Sequence, residues 1–167
     1  MDKIIEGVIV TDLKIIGDEK GSVMHMLRCD DPVFEIFGEI YFSKILPGAV
    51  RPWKMHKKMT LNLAAPSGKV RLVLYDSRKS SKTRGVGAQI ILSEKNYKLV
   101  TVPPRIWFGF EAIGGKAALL ANCATLPHEA SEVERLDSSS SKIPYQWANK
   151  NARHPGKTRR KHNNKLL

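Results

Sequence analysis

Turn-forming residues recur along this chain at roughly ten-residue intervals, and that cadence limits the fold more than any other feature. Short runs rich in β-branched and aliphatic residues fall at 49–56, 59–65, 69–75, 87–92, 98–102 and 117–124, with Gly, Pro or Ser between them. Before them, 4–16 reads as one or two strands broken at Gly7. A turn at 17–21 leads to a strand at 22–28, a turn at Asp30-Asp31-Pro32 follows, and a strand at 37–46 ends at Pro47-Gly48. No window of about 11 residues up to Leu126 repeats its apolar positions with a helical period. The fold class predicted is all-β, a sandwich or barrel, with one short helix at 127–137 (PHEASEVERLD).

At 167 residues, 42% of them hydrophobic, the chain is long enough for one domain with a real core. No apolar run reaches the roughly 18 residues of a membrane span, and the first residues lack the apolar centre of a signal peptide. Cys29 and Cys123 make neither a C-x-x-C pair nor a disulfide framework, so a reduced, cytoplasmic protein is expected. The net charge of +12 is unevenly spread: residues 148–167 hold seven basic residues and no acid, leaving +5 (21 basic less 16 acidic) for 1–147. The expected division is a domain at 1–147 and a disordered basic tail at 148–167, set off by the serines at 138–141 and the loss of apolar residues after Trp147. The tail has no interleaved aromatics and no nucleic-acid-binding motif, so it reads as a solvated extension rather than a nucleic-acid site.

Within this β pattern, 48–62 (GAVRPWKMHKKMTLN) is unusually dense in cations and polar side chains. In an extended strand Lys54 and His56 share one face, and Trp53 and Met55 the other. The same alternation puts Lys58, Thr60 and Asn62 opposite Met59, Leu61 and Leu63. Polar residues along one face of a curved sheet describe a binding cavity better than a packed core. His25, between Met24 and Met26, reads as structural, and His128 as a surface or capping residue. With three histidines in the body and no His-x-His pair, no metal site is expected.

Several segments, in order, resemble the dTDP-4-dehydrorhamnose 3,5-epimerase family of cupin-type β-barrel enzymes. Asp18-Glu-Lys-Gly21 resembles its Asp-x-Arg-Gly turn, and Gly48-Ala-Val-Arg51 its Gly-Val-x-Arg. Asp76-Ser-Arg78 with Ser81 and Thr83-x-Gly85 resembles Asp-x-Arg…Ser-x-Thr-x-Gly. Leu92-Ser-Glu-Lys-Asn96 resembles Leu-Ser-x-x-Asn, and Val102-Pro103 through Gly109-Phe110 resembles Ile-Pro…His-Gly-Phe. The resemblance runs from about Ile5 to Trp147. It implies a cupin jelly roll, a nucleotide-diphosphate 4-keto-6-deoxysugar substrate, a homodimer and no cofactor. Three of the family's chemical groups are replaced. Lys54 stands at the base histidine, although a variant Trp-His-x-His pattern would retain the second histidine, here His56. Phe108 stands at the second histidine, and Ala121 or Asn122 at the tyrosine.

Epimerisation beside a ketone needs a base within reach of a carbon-bound proton and a donor for the enolate oxygen. Two schemes fit. Either a neutral Lys54 is the base, or a charged Lys54 holds the oxygen while His56 takes the proton. The second leaves both groups near their natural protonation states and is preferred. The resemblance also implies that Arg51 grips the diphosphate and that Lys20 reaches a neighbouring subunit's site. Glu39 and Tyr41 fall where the family has Gln and Asn near the nucleotide. Asn62, Asn122, Phe108 and Trp107 are further candidate liners, Trp107 as a stacking wall. Arg78 reads as a structural partner of Asp76. With a second histidine and the tyrosine absent, inversion at one carbon, C3, is expected. The alternative is a sugar-nucleotide-binding cupin without catalysis.

Overall fold

Strands bounded by turns this closely spaced pair mainly antiparallel, and that is the arrangement found in a computed structural model, which describes residues 5–147. The strands are β1 (Ile9–Asp12), β2 (Ile15–Asp18), β3 (Gly21–Met24), β4 (Glu39–Ile45), β5 (Val50–His56) and β6 (Leu61–Ser67). They continue with β7 (Lys69–Asp76), β8 (Gly87–Ser93), β9 (Lys98–Val102), β10 (Ile106–Ala112), β11 (Ala118–Ala124) and β12 (Val133–Arg135). One five-stranded sheet has the order β1-β9-β6-β11-β4 and a second the order β12-β5-β10-β7-β8, while β2 and β3 form a separate hairpin. Packed face to face, the two sheets make the expected cupin-type jelly roll.

The core between the sheets is built by alternation. Leu61 and Leu63 of β6 and Leu120 and Ala124 of β11 meet Val70, Leu72 and Leu74 of β7 and Phe108 and Phe110 of β10. Strand β6 lies across from β8 and β11 across from β7. The next strand after β11 is β4, and the next after β7 is β10. A second cluster covers the outer face of the second sheet, where Val50, Trp53, Val73 and Trp107 are sealed by Ile143, Tyr145 and Trp147 of the C-terminal segment. The sequence reading missed β10, the middle of the second sheet. All seven of its residues are buried, so it shows no period-2 contrast.

The helix expected at 127–137 is not there. That stretch forms a single 3₁₀ turn, Ala130–Glu132, and then β12. Tertiary pairing overrides local propensity: Val133, Glu134 and Arg135 add to the free edge of β5 opposite His56, Met55 and Lys54. The basic tail at 148–167 lies outside the described residues. Among the described residues no helix is long and apolar enough to cross a membrane.

Candidate active site

The polar face of β5 points into the barrel, because Lys54 pairs with Phe108 of the core and directly opposed residues share a face. Plain alternation would put Arg51 on the opposite face from Lys54. The β5–β10 register shifts between Phe108 and Phe110, however, so that Arg51 pairs with Phe110. This bulge turns Arg51 inward and lines up Arg51, Lys54 and His56 on one face. Gly109, facing outward at the bulge, has no room for a side chain. A Cβ there would lie 2.8 Å from Trp147 and 3.0 Å from the Arg51 carbonyl.

His56 is buried, and its Nδ1 lies 2.7 Å from Glu132 Oε2. The 3₁₀ turn before β12 places that carboxylate. Its other oxygen accepts the backbone N–H groups of Lys58 and of Met59, the latter at 2.9 Å. A carboxylate on Nδ1 fixes the neutral tautomer with its proton there, leaving Nε2 as the free acceptor. Nε2 has no partner among the described residues and is not one of the sealed nitrogens, which are the indoles of Trp53 and Trp147. Burial holds the imidazole below its ordinary pKa and Lys54 and His128 push the same way, outweighing Glu132, which raises it. Phe108 stacks on this ring with centroids 5.8 Å apart.

Lys54 is also held below its ordinary value, by burial first and then by Arg135 and Arg51. Arg135 reaches this face because it pairs directly with Lys54. No acidic side chain pairs with Arg51, Lys54 or Arg135 among the described residues. Three cations with no counter-ion among the described residues, beside a neutral imidazole, make a site for an anion next to a base.

The facing wall comes from the first sheet. Glu39 and Tyr41 pair with Ala124 and Asn122, on the side where Leu120 and Ala124 join the core. Asn122 is buried, its Oδ1 accepting the Asn62 N–H at 3.2 Å and its Nδ2 donating to the Tyr41 hydroxyl at 2.9 Å. Arg51, Lys54, His56, Phe108, Glu39 and Asn122 thus face one interior.

Three other candidates do not join them. Trp107 lies on the outer face of the second sheet, packed with Trp53 and Trp147. Asn62 lies on the outer face of the first sheet, opposite in sense to Leu61 and Leu63. Its amide is used up by the Cys123 carbonyl at 3.1 Å and the Thr101 hydroxyl at 2.8 Å. Because β5 and β6 belong to different sheets, their polar faces do not line a common cavity. Lys20 sits at the turn of the β2–β3 hairpin, outside both five-stranded sheets. Sequence reasoning missed Glu132 and Arg135. Four acids crowd 127–137, and only the pairing of β12 selects which one reaches His56.

A cavity of about 540 Å³ on the outer side of the second sheet, lined by Trp53, Tyr75, Gln89 and Tyr145 among others, contains none of these groups. Among the described residues no cluster of three or more His, Cys, Asp or Glu side chains could hold a metal.

The family model for dTDP-4-dehydrorhamnose 3,5-epimerase matches residues 2–161. A dTDP sugar isomerase from Desulfovibrio desulfuricans G20 is 46% identical, with a TM-score of 0.84 over 86% of this chain and 92% of that one. The probable low-salt glycan biosynthesis epimerase Agl13 of Haloferax volcanii is 33% identical over 143 residues, 84% of this chain and 88% of its own length. The spore coat polysaccharide biosynthesis protein SpsL of Bacillus subtilis is 27% identical over 145 residues, 86% of this chain and 96% of its own.

Proposed function

Because the chain belongs to the dTDP-4-dehydrorhamnose 3,5-epimerase family, we propose that it inverts C3 of a nucleotide-diphosphate 4-keto-6-deoxysugar during deoxysugar or surface-polysaccharide synthesis. The observation that carries this reading is the Glu132–His56 pair with Nε2 left open beside Lys54. His56 Nε2 takes the C3 proton as the electron pair moves onto the C4 oxygen. The Lys54 ammonium stabilises that oxygen, and Glu132 stabilises the imidazolium. Arg51 and Arg135 hold the diphosphate. Action at one carbon is favoured because Phe108, which cannot carry a proton, stands where the family's second histidine would be.

The two schemes for Lys54 are separated by single variants. With Lys54→Met, a charged enolate-holding lysine predicts a slow enzyme that still exchanges the C3 proton. A lysine base predicts no exchange, with His56→Ala near full activity.

The expected homodimer is supported by an apolar surface along β4. Ile36, Phe37, Ile40, Phe42 and Leu46 are each more than half exposed, an unusual density on a protein that acts alone. Phe42→Glu should yield monomers by light scattering and raise KM. A dimer unaffected by it would argue for another interface. A cytoplasmic location suits a substrate made from activated nucleotides, and the tail at 148–167 is assigned no part in turnover.

A further inference from the structure

An inversion needs more than a base. Once His56 has removed a proton from one face of the sugar, a proton must arrive at the opposite face, from a group on the other side of the interior. His56 belongs to the second sheet, so the donor is sought on the first, where β4 follows β11, the strand that lies across from β7. The inward-facing residues of β4 are Glu39, Tyr41, Ser43 and Ile45. Tyr41 carries the O–H best suited to protonating carbon, and its hydroxyl is not left to wander. Asn122, itself 1% exposed and tied to the Asn62 backbone, donates an N–H to the phenol oxygen at 2.9 Å. An oxygen that accepts from an amide keeps its own hydrogen free to give away.

We propose that Tyr41 is the acid that protonates the substrate carbon from the face opposite His56, and that Asn122 is the positioning residue that aims its hydroxyl. This inference rests on the epimerase reading above. The step balances without a further reactant. The C3 proton passes to His56 Nε2 and its electron pair to the C4 oxygen. The pair then returns to form the new C–H bond with the Tyr41 proton, leaving a phenolate and an imidazolium. These two are reset by exchange with water before the next turnover. Although Tyr41 is 38% exposed, its partial burial, only partly opposed by the bond from Asn122, raises the phenol above its ordinary pKa, so it enters the cycle protonated.

The test is Tyr41→Phe, assayed in D₂O with a panel of nucleotide-linked 4-keto-6-deoxyglucoses. Two quantities are followed: deuterium entering recovered substrate, and epimer formed. The expected result is that epimer formation falls by about 100-fold or more, while deuterium still enters the substrate because His56 can return it to the face it came from. Melting temperature and nucleotide-sugar binding should stay close to those of the parent. Epimer formation near the parent rate would overturn the role, and so would exchange and epimerisation falling together with binding intact. Asn122→Ala provides a second readout that mere packing would not move. Losing a donor that favours the phenolate should shift the alkaline limb of epimer formation to higher pH, and an unshifted limb would remove Asn122 from the proposal. If the parent protein neither exchanged nor epimerised any sugar of the panel, the epimerase reading itself would fall, and this inference with it. Failure of Tyr41→Phe alone leaves that reading standing.

Discussion

Two buried carboxylates, Asp76 and Glu132, are held in superficially similar ways and serve opposite ends. Asp76 is fully buried and accepts from the Arg78 guanidinium at 2.9 Å, the Arg78 backbone at 3.0 Å, and the Ser81 and Thr83 hydroxyls at 2.6 and 2.7 Å. Arg78 goes on to the Glu6 carbonyl, so the network closes on itself and pins the 77–86 loop to the N-terminal segment. Glu132 has its own set of partners, but among the described residues one of them is an imidazole whose far nitrogen is unmatched, next to cations that pair with no acid. A closed polar network stabilises a fold, whereas one left open at a single atom can act on a ligand.

The comparison breaks most visibly at His56. Replacing it with Ala should lower epimer formation by about 10²–10⁴-fold with the fold retained, as loss of a general base does. A stopped assay with thermal melting separates the two effects. Glu132→Gln should come next, at about 100-fold in kcat/KM. Because the carboxylate raises the His56 pKa, its removal lowers that pKa further, so the acid limb of the pH profile should move to lower pH. A limb that stays in place would mean that His56 is not the group titrating.

Asp76→Ala should do the reverse, costing about 3–5 kcal/mol of stability by stranding the Arg78 cation, with turnover per folded molecule unchanged. Burial disfavours the Asp76 carboxylate, but the bonds from Arg78, Ser81 and Thr83 outweigh it and hold its pKa well below the ordinary value. Glu132 is likewise held low, the N–H groups of Lys58 and Met59 and the His56 ring outweighing burial. A depressed carboxylate contributes stability that is complete above its unfolded value near about 4 and is lost as pH falls through the folded one. Acid unfolding monitored by circular dichroism should therefore be less steep in Asp76→Ala. The smallest effect belongs to the tail: a chain ending at Trp147 should turn over its substrate at the full rate, and a large loss would show that the tail helps to close the site.

How much of this was legible in the sequence depended on whether one segment or two carried the information. The strand cadence, the all-β class and the shared face of Lys54 and His56 follow from local alternation, which a single strand contains. Trp107 and Asn62 were placed in the site on their residue type, but a strand's alternation does not say which face is inside, and for both it was the other one. Arg51 was matched by its motif, yet it reaches the site through a bulge that is visible only when β5 meets β10. Glu132 and Arg135 were illegible because their segment reads as a helix until β5 offers it an edge. The Asp76–Arg78 pair at the centre of the closed network, by contrast, was readable from Asp76-x-Arg78, because the two lie two residues apart.

The reaction proposed for this protein turns on His56, held by Glu132, removing the proton beside the ketone. Its most direct test is mass spectrometry of nucleotide-linked 4-keto-6-deoxyglucoses after incubation in D₂O with the parent protein and with His56→Ala. Solvent deuterium is expected at one carbon, C3, with the parent and essentially none with the variant. No deuterium with a parent that binds the sugar nucleotide, or undiminished labelling by His56→Ala, would contradict it.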